Sequence, residues 1–173
     1  YAEIELIDTT GSDEGVLTDV DESAAFVREA SEETFAGVDF VFFCGPGEKN
    51  RQWIARNDED GFTAIDLSQP AALEAEGVTV VAGVNFAPLA AAPSLIVSPH
   101  PVATTLVVLL DALRKRFEVR LCAASVIQPA SEYDKRGVDE LYAQTVNALN
   151  LHAVPRDVFG RQLAFNMFPA TDS

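Results

Sequence analysis

One stretch constrains the fold more than any other: Ser94 to Gln128, SLIVSPHPVATTLVVLLDALRKRFEVRLCAASVIQ. It reads as a short apolar strand, a tight turn Ser98-Pro99-His100-Pro101, an apolar helix from Pro101 to Arg116, and a long strand over Glu118–Gln128. Pro101 suits the first helical position, where a missing N–H costs nothing. Arg114, Lys115 and Arg116 fall in the last turn, where cations complement the helix dipole. A strand joined to the next by a helix is the unit of a parallel sheet. Ligands of such sheets bind outside the carboxyl ends of the strands. The turn at 98–101 is therefore the first place to look for a reactive group.

The rest of the chain follows the same alternation. Ala2–Asp8 places apolar and acidic residues in turn, as a half-buried strand does, and Thr9-Thr10-Gly11-Ser12 ends it. Asp21–Thr34 is predicted to be helical, wholly or in part, with Asp21 as its cap and Ala24, Ala25, Val27 and Phe35 as buried positions. Val38–Cys44 is read as an apolar run, broken only at Asp39, the mark of a parallel strand covered on both faces. Gly45-Pro46-Gly47 turns it into a helix from Glu48, with Trp53 and Ile54 facing inward. Strands are predicted at Gly61–Ser68 and Val78–Val84, with a helical or looped piece over Pro70–Glu76 and an Ala- and Pro-rich link from Asn85. Gly137–Asn150 is an amphipathic helix with Val138, Leu141, Tyr142, Val146 and Leu149 on one side, and RQLAFNMFPATDS reads as a strand stopped by Pro169. Strands alternating with helices make the class α/β with a largely parallel sheet.

The composition narrows the function classes. The longest apolar run, Leu106–Leu110, is far short of the ~18 residues of a membrane span. YAEIELID reads as a strand rather than a signal peptide. The first residue is not Met, so Tyr1 is not expected to be the translation start and the sequence is read as part of a longer protein. The formal net charge is −15, and 16 of the 27 acidic residues lie in residues 1–60. Such a chain repels nucleic acid and anionic membrane. Its acidic first third is read as a solvated face, with a docking surface for a basic protein partner as the alternative. Cys44 and Cys122 are placed in apolar strands as small hydrophobes, which fits a reducing compartment, the cytoplasm. With two His and no clustered carboxylates, no metal site is expected.

Three positions are candidates from the residues themselves. Asp8, at a strand end, can accept ribose hydroxyls and would repel a 2′-phosphate, favouring NAD over NADP; equally, it can cap a turn. Gly45 and Gly47 stand between a strand and a helix, where backbone N–H groups can cradle a phosphate. Against this, Pro46 removes a donor, Glu48 adds negative charge, and a plain tight turn explains the same residues. His100 is read as a base or as a structural residue of its turn.

Six stretches together carry a resemblance: VDFVFFCGPGE, AIDLS, Val84-Asn85, LIVSPHP with its helix, VIQPASEYDKRGVDELYAQT, and LAFNMFP. In this order they are similar to the aspartate-semialdehyde dehydrogenase family. The resemblance covers nearly the whole chain and implies a Rossmann-type domain, here 1–128, running into the start of an α/β dimerisation domain, 129–173. The family's first strand with its glycine fingerprint would precede Tyr1, and its catalytic histidine and substrate arginine would follow Ser173. The reaction implied is reduction of an acyl phosphate to an aldehyde by NADPH, through a cysteine thioester. Residue by residue, Gln128 matches the active-site glutamine, Gly45 and Gly47 the cofactor-side glycine turn, and Ser68 a residue near the nicotinamide. The nucleophile position falls on Pro101, the phosphate arginine after AIDLS is missing, and Glu132-Tyr133-Asp134 replace expected glycines.

Three readings result. The first is a relative that has lost catalysis and serves as a dimerising module that binds a nucleotide or a partner. The second is an active NAD(P)-dependent dehydrogenase of amino-acid biosynthesis in which another residue, such as His100, acts as base. The third is an assembly subunit docking through its acidic first third. Homodimers are implied by the resemblance.

Overall fold

The computed structural model describes residues 3–11, 15–20, 23–45, 47–68 and 76–169. Asp21, Pro46 and residues 70–75, which carried sequence expectations, lie outside them. The chain divides into two compact units, Tyr1–Leu121 and Cys122–Ser173.

The described residues of the first unit form seven strands in two ladders. In one, β1 (Leu6–Asp8) pairs in parallel with β3 (Ser23–Glu29), which pairs antiparallel with β2 (Leu17–Val20). The other is fully parallel, in the order β4-β5-β7-β6: β4 is Phe40–Phe43, β5 Thr63–Asp66, β6 Val78–Thr79 and β7 Leu95–Val97. Helices α1 (Glu32–Phe35), α2 (Gly47–Ile54) and α3 (Asn57–Asp60) lie between strands, and α4 (Pro101–Arg114) follows β7.

The α/β class read from the sequence holds. The helix expected over 21–34 does not: that stretch is strand β3 followed by the single-turn α1. Its side chains alternate, Ala25 and Val27 half-buried and Ala24, Phe26 and Arg28 exposed, which is period two rather than a helical stripe. The antiparallel partner β2 then decides for strand. The strand expected over Val78–Val84 is shortened to Val78–Thr79, because the chain turns back at Val81, with Val84 and Asn85 donating to its carbonyl.

One face of the β4–β7 sheet carries the core. Parallel register sets Val41, Ala64 and Leu95 side by side, then Phe43, Asp66 and Val97. Phe35, Phe43, Ile54, Phe62, Ala64 and Val97 form the buried cluster, with Ile7, Ala30 and Trp53 packed against it. Phe35 is its centre, 1% exposed, with ring centroids 5.1 Å from Trp53, 5.6 Å from Phe62 and 6.4 Å from Phe43. The step from α3 into β5 is made at Gly61, at φ 79°, whose N–H caps Asn57 O. Asn57, buried, donates to Ser94 O and so ties the same corner to the start of β7.

The acid-rich first third is partly neutralised by its own cations: Glu5 pairs with Arg28, and Arg56 bridges Glu32 and Asp60. The hydrogen bond it donates to Asp60, with the surrounding carboxylates, raises the Arg56 guanidinium above its ordinary value. In α4, Asp111 is buried and accepts from Arg114 at 2.7 Å and Lys115 at 2.5 Å. The Lys115 hydrogen bond, then that of Arg114, holds its carboxyl below the usual carboxylate value. A lowered folded-state pKa contributes stability above the unfolded value of about 3.9, and that contribution is lost as pH falls through the folded value. Asp111→Asn is therefore expected to lower the melting temperature at neutral pH. The gap to the unmodified protein should close below about pH 4, as melts across the acid range would record.

Helix α5 (Asp134–Leu149) dominates the second unit. It starts one turn before the predicted Gly137, and its buried face differs from the predicted one. Gly137, Glu140 and Gln144 are buried, while Val138, Tyr142, Val146 and Leu149 are 39–73% exposed and Leu141 half-buried. Polar partners decide this: Glu140 Oε2 accepts from Val158 N at 2.6 Å and Oε1 from Phe159 N at 3.2 Å. Gln144 Oε1 accepts from Leu163 N and Ala164 N, and its amide donates to Pro155 O, Arg161 O and Glu140 Oε1. Gly137 packs against the preceding short 3₁₀ turn, Ala130–Tyr133. A Cβ there would overlap Ala130 O and stand 2.7 Å from Tyr133 Cβ. Gly137→Ala is expected to cost about 2–3 kcal/mol, measurable by urea unfolding.

Two predicted strands are not formed. Glu118–Gln128 and the segment 161–169 make no ladder with any described residue, and Leu121 and Ile127 are 88% and 78% exposed. Apolar, β-branched sequence marks a segment fit to be a strand, but a strand exists only with a neighbour to take its backbone hydrogen bonds. Cys122 lies in the first of these segments and is exposed; Cys44 is exposed too, one residue past β4. Neither is the small buried hydrophobe expected. No helix among the described residues is long and apolar enough to cross a membrane.

Candidate functional site

Parallel strands deliver their carboxyl ends to one edge. Past β4 come Cys44 and Gly45, past β5 Leu67 and Ser68, and past β7 Ser98, Pro99 and His100. The ladder runs on into these turns: Leu67 N donates to Phe43 O and Ser98 N to Asp66 O, both at 2.9 Å. β1 is an edge strand of the first ladder and β4 an edge strand of the second, and each ends in a turn at its carboxyl end. These two ends converge. Thr9 Oγ1 donates to Asn50 Oδ1 at 2.9 Å, Asn50 Nδ2 donates to Gly45 O at 3.0 Å, and a Cβ on Gly45 would stand 3.6 Å from Thr9 Oγ1.

Each predicted residue can now be located. Asp8 closes β1 and is buried, its Oδ1 accepting from Thr10 N at 2.7 Å and Thr10 Oγ1 at 2.6 Å. This is the turn-capping geometry. Gly45 is exposed and Gly47 opens α2. Ser68 donates through both N and Oγ, at 2.9 and 2.5 Å, to Oδ1 of the fully buried Asp66. Asp66 Oδ2, equally buried, has no hydrogen-bond partner among the described residues.

His100 is the N-cap of α4. Its Nδ1 accepts from Val102 N at 3.2 Å, and Pro101 is the first helical residue. Thr104 and Thr105 turn their hydroxyls back to Pro99 O and Pro101 O. The turn is thus a helix start built from a cap, a proline and two back-bonded threonines. Gln128 belongs to the second unit, where it is exposed on a groove of about 920 Å³ shared with Tyr133, Leu141, Phe159, Leu163 and Met167.

The structure groups Asp8, Gly45, Gly47 and Ser68 at strand ends of the first unit, with His100 and Pro101 past β7. Sequence reasoning passed over Asn50 and Asp66. The signal for Asn50 was its spacing: four residues before the inward Ile54, it shares the buried helix face. Asp66 ends an alternating strand in which Ala64 is buried, so its side chain points to the core.

Residues 4–92, from the approach to β1 through the turn past β6, match the family described as "Semialdehyde dehydrogenase, NAD binding domain". The chain belongs to the semialdehyde dehydrogenase family. A USG-1 protein homolog of Pseudomonas aeruginosa is 34% identical over 149 residues, 84% of this chain and 44% of that protein. The aspartate-semialdehyde dehydrogenase of Rickettsia conorii is 28% identical over 137 residues, 78% of this chain and 40% of the relative. Among solved structures, a probable aspartate-semialdehyde dehydrogenase from Pseudomonas aeruginosa superposes with a TM-score of 0.77 at 28% identity, covering 98% of this chain and 52% of that one. Aspartate semialdehyde dehydrogenase II of Vibrio cholerae, solved in complex with ASA, superposes with a TM-score of 0.87 at 24% identity, covering 99% and 52%. That last likeness is one of fold. This member of the semialdehyde dehydrogenase family thus spans less than half the length of these sequence relatives. Among its described residues no three His, Cys, Asp or Glu side chains gather as a metal-binding group.

Proposed function

We propose that this semialdehyde dehydrogenase relative binds a nicotinamide dinucleotide at its carboxyl edge and does not carry out the family's cysteine-dependent chemistry. One observation carries the second half: Pro101, at the position the resemblance assigns to the nucleophile, is the first residue of α4, and its ring offers no attacking atom. Thioester formation needs a thiolate within reach of the substrate carbonyl. Cys44 follows β4, and Cys122 belongs to the second unit. His100 offers no substitute, since it supplies no nucleophilic sulfur and its Nδ1 is engaged in capping the helix.

The match to an NAD-binding domain supports the first half, as does the convergence of the Thr9 and Gly45 turns, with no Cβ on the β4 side. These residues fit the adenosine half of a dinucleotide: the two turns follow the carboxyl ends of β1 and β4, and Asp8 puts a carboxylate at the β1 end. That negative charge favours an unphosphorylated ribose, so NAD is expected to bind more tightly than NADP. The cofactor would supply hydride chemistry; this chain's residues would bind and orient it. The second unit, with its apolar groove, is read as the start of a dimer-forming domain, and sedimentation at two concentrations tests for the dimer. The central test titrates the whole protein with NAD and NADP by calorimetry, then adds phosphate and aspartate semialdehyde and follows reduced nicotinamide. Binding without turnover is the expected result, and steady turnover would overturn the reading.

A further inference from the structure

We propose that Asn50 is a positioning residue of the nucleotide crevice, a latch fixing the turn after β1 against the turn after β4. The proposal rests on the nucleotide-binding reading above. Asn50 is 1% exposed, and both ends of its amide are committed: Oδ1 to the Thr9 hydroxyl at 2.9 Å and Nδ2 to the Gly45 carbonyl at 3.0 Å. The Thr9 O–H donates into the amide and the amide N–H donates out, so each bond polarises the other. The links span 41 residues in one direction and 5 in the other, joining turns from the two separate ladders.

Among the described residues β1 pairs with β3 and β4 with β5, and no ladder joins β1 to β4. The amide is thus a polar tie between the turns that follow the two strands. Its length sets how far apart they stand. Burial protects the tie from competing water, and a half-broken latch would leave a buried amide group unpaired, so the closed arrangement is strongly favoured.

A dinucleotide whose adenosine lies between these turns meets a gap already set to width, and ordering the two turns costs nothing on binding. The specificity consequence is local to the adenosine half. Loss of the latch weakens ADP-ribose and NAD alike, because both present the same adenosine to the same two turns.

The test titrates ADP-ribose into the whole unmodified protein and into Thr9→Val, Thr9→Ser, Asn50→Ala and the Thr9→Val/Asn50→Ala double variant, each first confirmed folded by its melting curve. Thr9→Val removes only the hydroxyl, and Thr9→Ser restores it. The expected result is about tenfold weaker binding for Thr9→Val and Asn50→Ala, little further loss in the double variant, and recovery to within about twofold for Thr9→Ser. Folded Thr9→Val and Asn50→Ala proteins that bind as the unmodified protein does would overturn the latch, as would fully additive losses. If the unmodified protein binds neither ADP-ribose nor NAD, the nucleotide reading itself fails and the role assigned to Asn50 fails with it. Should Asn50→Ala not fold, Thr9→Val against Thr9→Ser still decides.

Discussion

Replacing Gln144 by alanine is expected to destabilise the second unit by roughly 3–5 kcal/mol. The side chain is fully buried and serves both ends of one loop. Its Oε1 is the acceptor for Leu163 N and Ala164 N, at 2.7 and 3.0 Å, and its Nε2 reaches Pro155 O at 2.8 Å and Arg161 O at 3.0 Å. Alanine leaves these buried backbone groups without their partner, and each orphaned group costs about 1–3 kcal/mol. Glu140, one turn earlier, holds Val158 N and Phe159 N and loses the amide that lies against its own Oε1. The loop 155–164 is thereby detached from α5 at both ends and loosened in the middle. Urea unfolding should show the loss, and amide exchange should place it at residues 155–164. Exchange there unchanged from the unmodified protein would show that the loop is held by something else.

The second large effect belongs to the first unit. Phe35→Ala is expected to cost about 3–5 kcal/mol. Phe35 is 1% exposed and stacks on Phe43, Phe62 and Trp53, so truncation removes the shared partner of three aromatic rings and leaves a cavity the sheet cannot close. The remaining pair, Phe43 and Phe62, sits at 6.3 Å and has its own strand and loop anchors, which limits collapse into the space. Denaturant titration should show a lower midpoint with an unchanged slope. A change below 1 kcal/mol would mean that the core is not organised around this ring.

Much of the first unit was legible in the sequence because its strands announce themselves locally. Val38–Cys44 is mostly apolar and β4 lies within it, although only its Val41 and Phe43 face is covered, Phe40 and Phe42 being 58% and 62% exposed rather than buried as expected; Gly45 and Gly47 mark the turn, and Pro101 marks the first residue of α4. What failed turned on partners, which local composition does not reveal. Residues 21–34 carry Ala and Glu, good helix formers, yet pairing with Leu17–Val20 outweighs that preference. Glu118–Gln128 has the composition of a strand but no described neighbour to pair with. On α5 the apolar stripe looked like the buried face, whereas the buried face is the one whose Glu140 and Gln144 find backbone donors and acceptors 11 to 20 residues further on. At the site, Asp8, Gly45 and Ser68 were legible because strand ends are. Asn50 was not, because a lone Asn in GEKNRQWI looks like a solvated helix residue until Thr9 and Gly45 are brought to it.

The family relationship sharpens the question of what the turn after β7 does. It stands where the resemblance assigns the nucleophile turn, and it is built as a helix start, with His100 capping and Pro101 leading. The most direct measurement is the intact mass of the whole protein after incubation with aspartate semialdehyde and NADP⁺, or NAD⁺, with phosphate withheld so that any thioester persists. No acyl adduct on any cysteine is the predicted result. An added acyl group mapping to Cys44 or Cys122 would contradict the account, since it would show that a thiol outside the Pro101 turn performs the family's covalent step.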